Sequence, residues 1–446
     1  MFVRFDGSAD HLRKYLPDFV SLIGNEIWRK RLTQLLQNLN QSPALAHIVF
    51  HYHWLELALD EQLAISERNS SDYEEAFVPE SLSALHFAQT VVEVHTRLSA
   101  PGQISLRGRL RDSLKAENGF ASLYLEIDLA RRLFEAGFEV EFADLEGLAR
   151  YDLRFWKGDI TGELECKSIS ADAGRQIHRK DFYRFIDALE PQIIDGTRMN
   201  YGILLVTLQE RLPSDVERQR ILRDAAKHML RDPSAPIMRG TFFVIERRKF
   251  EELTGTTQIS GVEELYRQCR DAFGENCHVS GATGPQTNCL VVMRSVREDD
   301  HSKPIYRALK DAERQFSSKQ PSFIFLQFDD IEPRDLLSRH LRRRMGILSY
   351  AFFYKRQPSH VAAVCCCAYN GLISSPNGVC VPAIATPNPK PKFPIIPSEY
   401  PLFLGHIPDA EFAAILQAPP PVENLSYIEF EPEAMAKKNV ETEEST

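Results

Sequence analysis

Two neighbouring stretches decide how this chain folds, and they also hold the residues that indicate its chemistry. They read Tyr151-Asp152-Leu153-Arg154-Phe155-Trp156 and Gly162-Glu163-Leu164-Glu165-Cys166-Lys167-Ser168-Ile169. The turn-like Lys157-Gly158-Asp159 lies between them, so we expect two strands that pair as a hairpin. Such a hairpin places a highly charged strand beside a strand that begins with an aspartate.

The second strand carries its charges on one face. Because alternate side chains of a strand point to opposite faces, Glu163, Glu165 and Lys167 share a face. Asp152 can approach them from the neighbouring strand, although the sequence leaves the pairing register open. The pattern therefore predicts carboxylates and an ammonium group in one place.

Phosphodiester hydrolysis requires this combination of groups. Carboxylate oxygens bind hard divalent cations, so Asp152 and Glu165 are candidate metal ligands, with the backbone carbonyl of Cys166 as a further oxygen ligand. Lys167 can position the attacking water and oppose the charge that develops on the phosphate. The alternative is a solvent-facing strand with a surface ion pair between Glu165 and Lys167, which would add little stability.

A third carboxylate comes from the segment before the hairpin. Apolar spacing predicts a helix from Phe120 to Ala136. Within it, Glu126 lies at helical spacing from Leu123 and Leu133, so it falls inside the apolar stripe. Burial of a carboxylate is unfavourable unless the group is paired or binds a metal, which makes Glu126 a further candidate ligand.

The segments around the hairpin complete an α/β pattern. We expect a strand at 138–142 before it and, after it, a helix at 175–194, a strand at 201–208, a helix at 213–230 and a strand at 241–245. A helix, three strands, a helix and a strand in this order are typical of an α/β domain with a mixed sheet.

In these features the chain resembles the PD-(D/E)xK nuclease superfamily, also called restriction-endonuclease-like, whose members share an αβββαβ core. Glu126, Asp152 and the triplet Glu165-Cys166-Lys167 match its motif, while Tyr151 stands where the family name has proline. The likeness covers residues 118–208. It implies that Asp152 and Glu165 bind Mg²⁺ or Mn²⁺, that Lys167 serves the nucleophilic water and that Glu126 supports the metal site.

Basic residues gather where the next predicted helix begins. Residues 175–180 include no acidic side chain. The candidates for contacts with nucleic-acid phosphates are Arg175, His178, Arg179, Lys180 and Arg184. A solvated helix face is the alternative interpretation.

Composition and missing motifs exclude several classes of protein. The 446 residues are 43% hydrophobic and carry a net charge of −9, which argues against a protein coated with basic surface. No apolar run reaches the ~18–20 residues of a membrane-spanning helix, and the N-terminus lacks a signal-peptide pattern. Neither a P-loop nor a GxSxG elbow is present. We expect a cytoplasmic protein without a membrane partner.

These observations lead to one expected organisation and function. The fold class is α/β, with a restriction-endonuclease-like αβββαβ core and mixed sheet. The expected domains are an α-helical N-terminal region (1–115), the nuclease domain (116–250), a C-terminal α/β accessory region (251–430) and an acidic disordered tail (431–446).

The expected function is a metal-dependent endodeoxyribonuclease in bacterial defence or DNA processing, which forms a homodimer or binds a partner protein through its N- or C-terminal region. A module of the same fold that binds nucleic acid or a partner without cleavage is the alternative. A scaffold that does not bind nucleic acid is a third interpretation.

Overall fold

The computed structural model describes most of the chain in two compact units. The residues described are 2–3, 9–41, 43–68, 79–170, 172–198, 201–232, 234–250, 262–274, 276–283, 288–329, 339–369, 373–375, 378–380 and 383–404. The first unit comprises Met1–Gln34, Tyr52–Ala171 and Ser302–Thr446, and the second comprises Leu35–His51 and Asp172–His301. The predicted acidic tail, 431–446, lies outside the described residues.

Helices dominate the first part of the chain and alternate with strands after it. The described helices are α1 Ala9–Arg13, α2 Leu16–Ile23, α3 Asn25–Gln41, α4 Pro43–Tyr52, α5 Trp54–Arg68, α6 Pro79–Arg97, α7 Ala100–Ser113, α8 Ala121–Glu135, α9 Arg179–Arg198, α10 Val216–Arg231, α11 Val262–Phe273, α12 Ser302–Glu313, α13 Arg339–Arg356 and α14 Pro401–Leu404. None of these helices is long and apolar enough to cross a membrane.

The strands in the described part of the chain form three sheets. Those described are β1 Phe2–Val3, β2 Glu139–Phe142, β3 Leu153–Lys157, β4 Ile160–Ile169, β5 Gly202–Leu208, β6 Ile237–Arg239, β7 Phe243–Arg248, β8 His278–Thr283, β9 Asn288–Ser295, β10 Ser322–Phe328, β11 Val361–Ala368, β12 Ile373–Ser375, β13 Gly378–Cys380 and β14 Ala383–Pro387. The chain is therefore a mixed α/β protein, as the sequence predicts.

The central sheet of the first unit contains the predicted hairpin. Its described strands follow the order β14-β11-β10-β4-β3-β2. β3 and β4 are antiparallel and join through a two-residue turn, with Lys157 paired to Ile160. Gly158, in that turn, has a φ of 59°, which a residue without a Cβ adopts readily. The predicted hairpin is confirmed, and so is the helix before it, which is α8.

The strand next to β4 is not the one that we predicted. We expected the helix at 175–194 and the strand at 201–208 to complete the αβββαβ order. Instead β10, preceded by α12, runs parallel to β4, with Phe323 opposite Leu164. The predicted strand is β5, which pairs with β7 and β9 in the sheet of the second unit. Both helix–strand pairs have similar local patterns, and strand pairing depends on tertiary context rather than on propensity.

The compact units also depart from the predicted domain boundaries. The segment 116–250 divides between the two units at 171, and α12 and β10, predicted in the accessory region, belong to the first unit. Apart from the segment 35–51, the helices before residue 115 share a hydrophobic core with the sheet, in which Phe87 of α6 packs on Phe120 with ring centroids 5.5 Å apart. An amphipathic helix buries its apolar face against another element, so these helices and the sheet form one unit.

The second unit has its own sheet and its own cores. Its described strands follow the order β6-β7-β5-β9-β8, and β5 is buried along its whole length. Alternate residues of β5 enter different cores: Leu204 and Val206 contribute to one, and Ile203 and Leu205 to the other. Both faces of this sheet are therefore covered, which explains the continuous apolar run of β5.

Candidate metal centre

Acidic side chains from separate segments meet where β3 begins. Glu126 comes from α8, and Asp152 immediately precedes β3. Asp144, which the sequence analysis did not select, comes from the turn after β2. One carboxylate oxygen of each residue lies within 4.8 Å of an oxygen of the other two. Glu126, Asp144 and Asp152 are called the acidic trio below.

The hairpin itself fixes Asp152 relative to Glu165. The backbone N–H of Cys166 donates a hydrogen bond to Asp152 Oδ2 at 2.7 Å. The backbone N–H of Asp152 donates in return to Glu165 Oε2 at 3.2 Å. These reciprocal hydrogen bonds join the two strands that carry the predicted motif. Glu165 is not a member of the acidic trio, so its role as a metal ligand stays a prediction.

Two cations neutralise part of this negative charge. Lys167 Nζ lies 2.5 Å from Glu165 Oε1, and its side chain is 25% exposed. Arg109, on α7, donates from one terminal nitrogen to Glu126 Oε2 at 2.6 Å and from the other to Asp144 Oδ2. Hydrogen bonds between charged groups in a partly buried position are among the stronger ones in proteins. The site therefore combines four carboxylates with two basic side chains.

Burial shifts the titration of these carboxyl groups upward. Removal from water raises the pKa of Asp152 to about 6. Removal from water, together with the charge of Asp152, raises the pKa of Glu165 to about 8. The pKa of Glu126 also lies well above its ordinary value, first because of burial and then because of the neighbouring Asp152 charge. Without further positive charge, the site therefore favours protonated carboxyl groups.

The carboxylates of β4 do not face solvent. Glu163 and Glu165 are 0% and 1% exposed, and Leu164 between them is also buried. Three consecutive buried residues mean that both faces of the strand are covered. The alternative of a solvent-facing charged strand is therefore wrong, because the helices α8 and α12 pack against β4.

The residues present fit a hard divalent cation. Asp144 Oδ1 is buried and accepts no hydrogen bond from a side chain among the described residues, while the backbone N–H groups of Asp144 and Leu145 lie near its carboxylate. A bound cation would give this buried oxygen a charged partner. Two oxygens on one Mg²⁺ can lie up to ~4.2 Å apart at Mg–O distances of ~2.1 Å. The oxygens of the acidic trio lie within 4.8 Å of one another, so binding of one ion would draw them slightly closer together. All of its donors are oxygens, as Mg²⁺ and Mn²⁺ prefer.

Cys166 contributes through its backbone rather than its sulfur. Burial raises the pKa of its thiol well above the ordinary value, so the sulfur is not available as a thiolate ligand. Its N–H orients Asp152, and the ligand role of its carbonyl stays a prediction.

Glu163 shares the strand of Glu165 but has a different environment. The backbone N–H of Ser317 donates to Glu163 Oε2 at 2.9 Å, and the Ser317 hydroxyl donates to Oε1. This carboxylate therefore stabilises the loop before β10 and is separate from the acidic trio.

Sequence reasoning missed two members of the site for different reasons. Asp144 follows the predicted strand 138–142 by two residues, so it could have been selected from the sequence as an acidic residue at the end of a strand. Arg109 lies between the buried Leu106 and Leu110 in the sequence of α7. Its guanidinium group reaches Glu126 only because α7 packs beside α8, which the sequence does not reveal.

The predicted phosphate-binding residues belong to the second unit, whereas the acidic trio belongs to the first. The backbone N–H of Arg179 donates to Asp172 Oδ1 at 2.8 Å, and Arg184 lies 3.6 Å from Asp181. The basic residues at the start of α9 thus have acidic neighbours on both sides in the sequence, Asp172 before Arg175 and Asp181 after Lys180. Their contact with nucleic acid stays a prediction.

Comparison of the chain with protein-family models, with curated proteins and with solved structures gives no significant match.

Proposed function

We propose that this protein is a divalent-metal-dependent nuclease of the PD-(D/E)xK type, an endodeoxyribonuclease that acts in bacterial defence or DNA processing. The observation that supports this most strongly is the acidic trio, with Lys167 beside Glu165 at a partly exposed position. Carboxylate oxygens next to one accessible ammonium group are the set of groups that metal-assisted phosphodiester hydrolysis uses.

The order of elements in the first unit supports the same proposal. α8, the antiparallel strands β2, β3 and β4, α12 and the parallel strand β10 follow one another in the αβββαβ order, with the segment 172–301 between β4 and α12. In this interpretation the segment 172–301, which forms most of the second unit, is an insertion in a restriction-endonuclease-like core.

Each residue of the site has a distinct task in this proposal. A bound Mg²⁺ or Mn²⁺ supplies Lewis-acid chemistry, which polarises the phosphate and makes water a better nucleophile. The acidic trio would present oxygens to the cation, and the Cys166 N–H keeps Asp152 oriented. Lys167 donates hydrogen bonds to the attacking water and offsets charge on the phosphate, and Glu165 holds its ammonium group in place.

The second unit is proposed to bind the DNA backbone. The guanidinium groups of Arg175, Arg179 and Arg184 suit bidentate contacts with phosphate oxygens. Cleavage of both strands of a duplex would use two copies of the chain, so a homodimer on DNA is part of this proposal.

A cleavage assay with metal-binding controls tests the proposal. Supercoiled plasmid and single-stranded DNA are incubated with the full chain and Mg²⁺ or Mn²⁺, and the wild type is compared with Lys167→Ala and Asp152→Ala. We expect cleavage that chelation stops and that both substitutions abolish, with Mn²⁺ binding retained in Lys167→Ala. DNA binding without cleavage in the wild type would instead support the non-catalytic module, and neither activity would support a scaffold.

A further inference from the structure

Arg109 occupies an unusual position for a side chain in a cation site. Its two terminal nitrogens contact two different members of the acidic trio, Glu126 and Asp144. A guanidinium group stays charged at every pH at which the protein is folded. The site therefore already contains a permanent cation that bridges two carboxylates, a role that a second metal ion could otherwise fill.

The contacts of Arg109 divide the carboxylate oxygens into two sets. Arg109 engages Glu126 Oε2 and Asp144 Oδ2, and the Cys166 N–H engages Asp152 Oδ2. The other oxygen of each residue takes no part in these bonds, and Asp144 Oδ1 in particular is buried without a side-chain donor among the described residues. The first set of oxygens is thus hydrogen-bonded within the protein. The second set, one oxygen from each member of the acidic trio, remains for a metal ion.

The balance of charges in the site also indicates a single divalent ion. The acidic trio and Glu165 carry four negative charges when ionised, and Arg109 and Lys167 carry two positive charges. The remaining formal charge of −2 equals that of one divalent cation, whereas two such ions would leave a buried excess of positive charge. Uncompensated buried charge is strongly unfavourable.

From these contacts we propose that the Arg109 guanidinium replaces a second metal ion, so that each chain binds a single divalent cation. This inference rests on the proposed function, because it assumes that the acidic trio is a metal site. It assigns Arg109 as a positioning residue that keeps Glu126 and Asp144 turned toward one ion. The Glu126 and Asp144 oxygens that a second ion would need are already engaged.

The number of Mn²⁺ ions bound per chain tests the proposal without reference to catalysis. Binding to the full chain is measured by isothermal titration calorimetry and by electron paramagnetic resonance of the unbound Mn²⁺. We expect one ion for the wild type and one for Arg109→Lys, which keeps the charge. We expect two ions for Arg109→Gln, which removes the charge and frees one oxygen each on Glu126 and Asp144.

Several outcomes would overturn the assignment. A wild-type count of zero or two does so by itself, whether or not any variant folds. A count of one in a folded Arg109→Gln chain, with folding checked by circular dichroism, also does so. One ion in the wild type and two in Arg109→Gln, without DNA cleavage, would leave the role of Arg109 intact and reject only the proposed hydrolysis.

Discussion

Asp152 and Cys166 are hydrogen-bonded across the β3–β4 hairpin, with the Cys166 N–H donating to Asp152 Oδ2 at 2.7 Å. The bond connects a backbone group, whose position the sheet determines, with a carboxylate of the acidic trio. Only one oxygen of Asp152 is engaged in this way. The hairpin therefore orients Asp152 and leaves its second oxygen outside this hydrogen bond.

Asp152→Asn separates the charge of this residue from its hydrogen bond. The asparagine carbonyl can still accept from the Cys166 N–H, so we expect the hairpin to persist and the melting temperature of the metal-free chain to stay the same or rise. Loss of an anionic ligand should lower the cleavage rate about 100-fold or more and abolish Mn²⁺ binding. Calorimetric Mn²⁺ titration and plasmid cleavage measure the two effects.

Glu163→Gln is the matched control for that variant, because it changes a buried carboxylate on the strand of Glu165. It removes an acceptor that Ser317 uses and should lower the free energy of unfolding by about 1–3 kcal/mol. Mn²⁺ binding should remain. Its loss in a folded Glu163→Gln chain would show that destabilisation alone removes the metal site, and would contradict the specific role of Asp152.

The raised pKa values predict that the metal-free protein becomes less stable as the pH rises. The pKa values of Asp152 and Glu165 increase from 3.8 and 4.5 to about 6 and about 8. Between the unfolded and folded pKa values the folded chain binds more protons, so the free energy of unfolding falls from about pH 4 to about pH 8. Each group contributes at most about 1.4 kcal/mol per pH unit.

Thermal unfolding in chelator from pH 5 to pH 9 measures this slope. Glu165→Gln, which cannot ionise at that position, should show a smaller decrease between pH 5 and pH 8. Because bound ligands must be deprotonated, Mg²⁺ should raise the melting temperature more at pH 8 than at pH 5. Equal slopes for the wild type and Glu165→Gln would show that the Glu165 pKa is not raised by burial.

The parts of the fold that depend on nearby sequence could be predicted, and those that depend on distant packing could not. The helix α8, the hairpin and the buried position of Glu126 follow from local periodicity and turn residues. The pairing of β4 with β10 could not be derived, because β5 and β10 are both apolar strands that follow helices. Arg109 illustrates the same limit in the site, since its partners lie 17 and 35 residues away on other elements.

A glycine in the hairpin offers a test of the packing beneath the site. Gly162 pairs with Phe155, and a Cβ at Gly162 would overlap the Phe155 ring, which is fully buried. Gly162→Ala should therefore lower the free energy of unfolding by about 1–3 kcal/mol, as overpacking does. Gly108→Ala, on the exposed side of α7 with open space around it, should raise it by about 1 kcal/mol. Urea denaturation measures both, and a neutral Gly162→Ala would contradict the described strand register.

The salt dependence of DNA binding tests the role of the second unit. Lys180 and Arg184 lie in the first part of α9, and Arg184 is 58% exposed. If both contact phosphates, the double substitution to glutamine should make the slope of log K against log salt concentration less steep by about 1.8 for duplex DNA. Arg267→Gln, an equally exposed arginine on α11, is the control and should leave the slope unchanged. Fluorescence anisotropy with a labelled duplex at several salt concentrations gives these slopes.

Because the substituted residues lie in the second unit, Mn²⁺ binding should be the same in the wild type, the double variant and Arg267→Gln. Equal slopes in the double variant and the wild type would place the DNA-binding surface elsewhere on the protein.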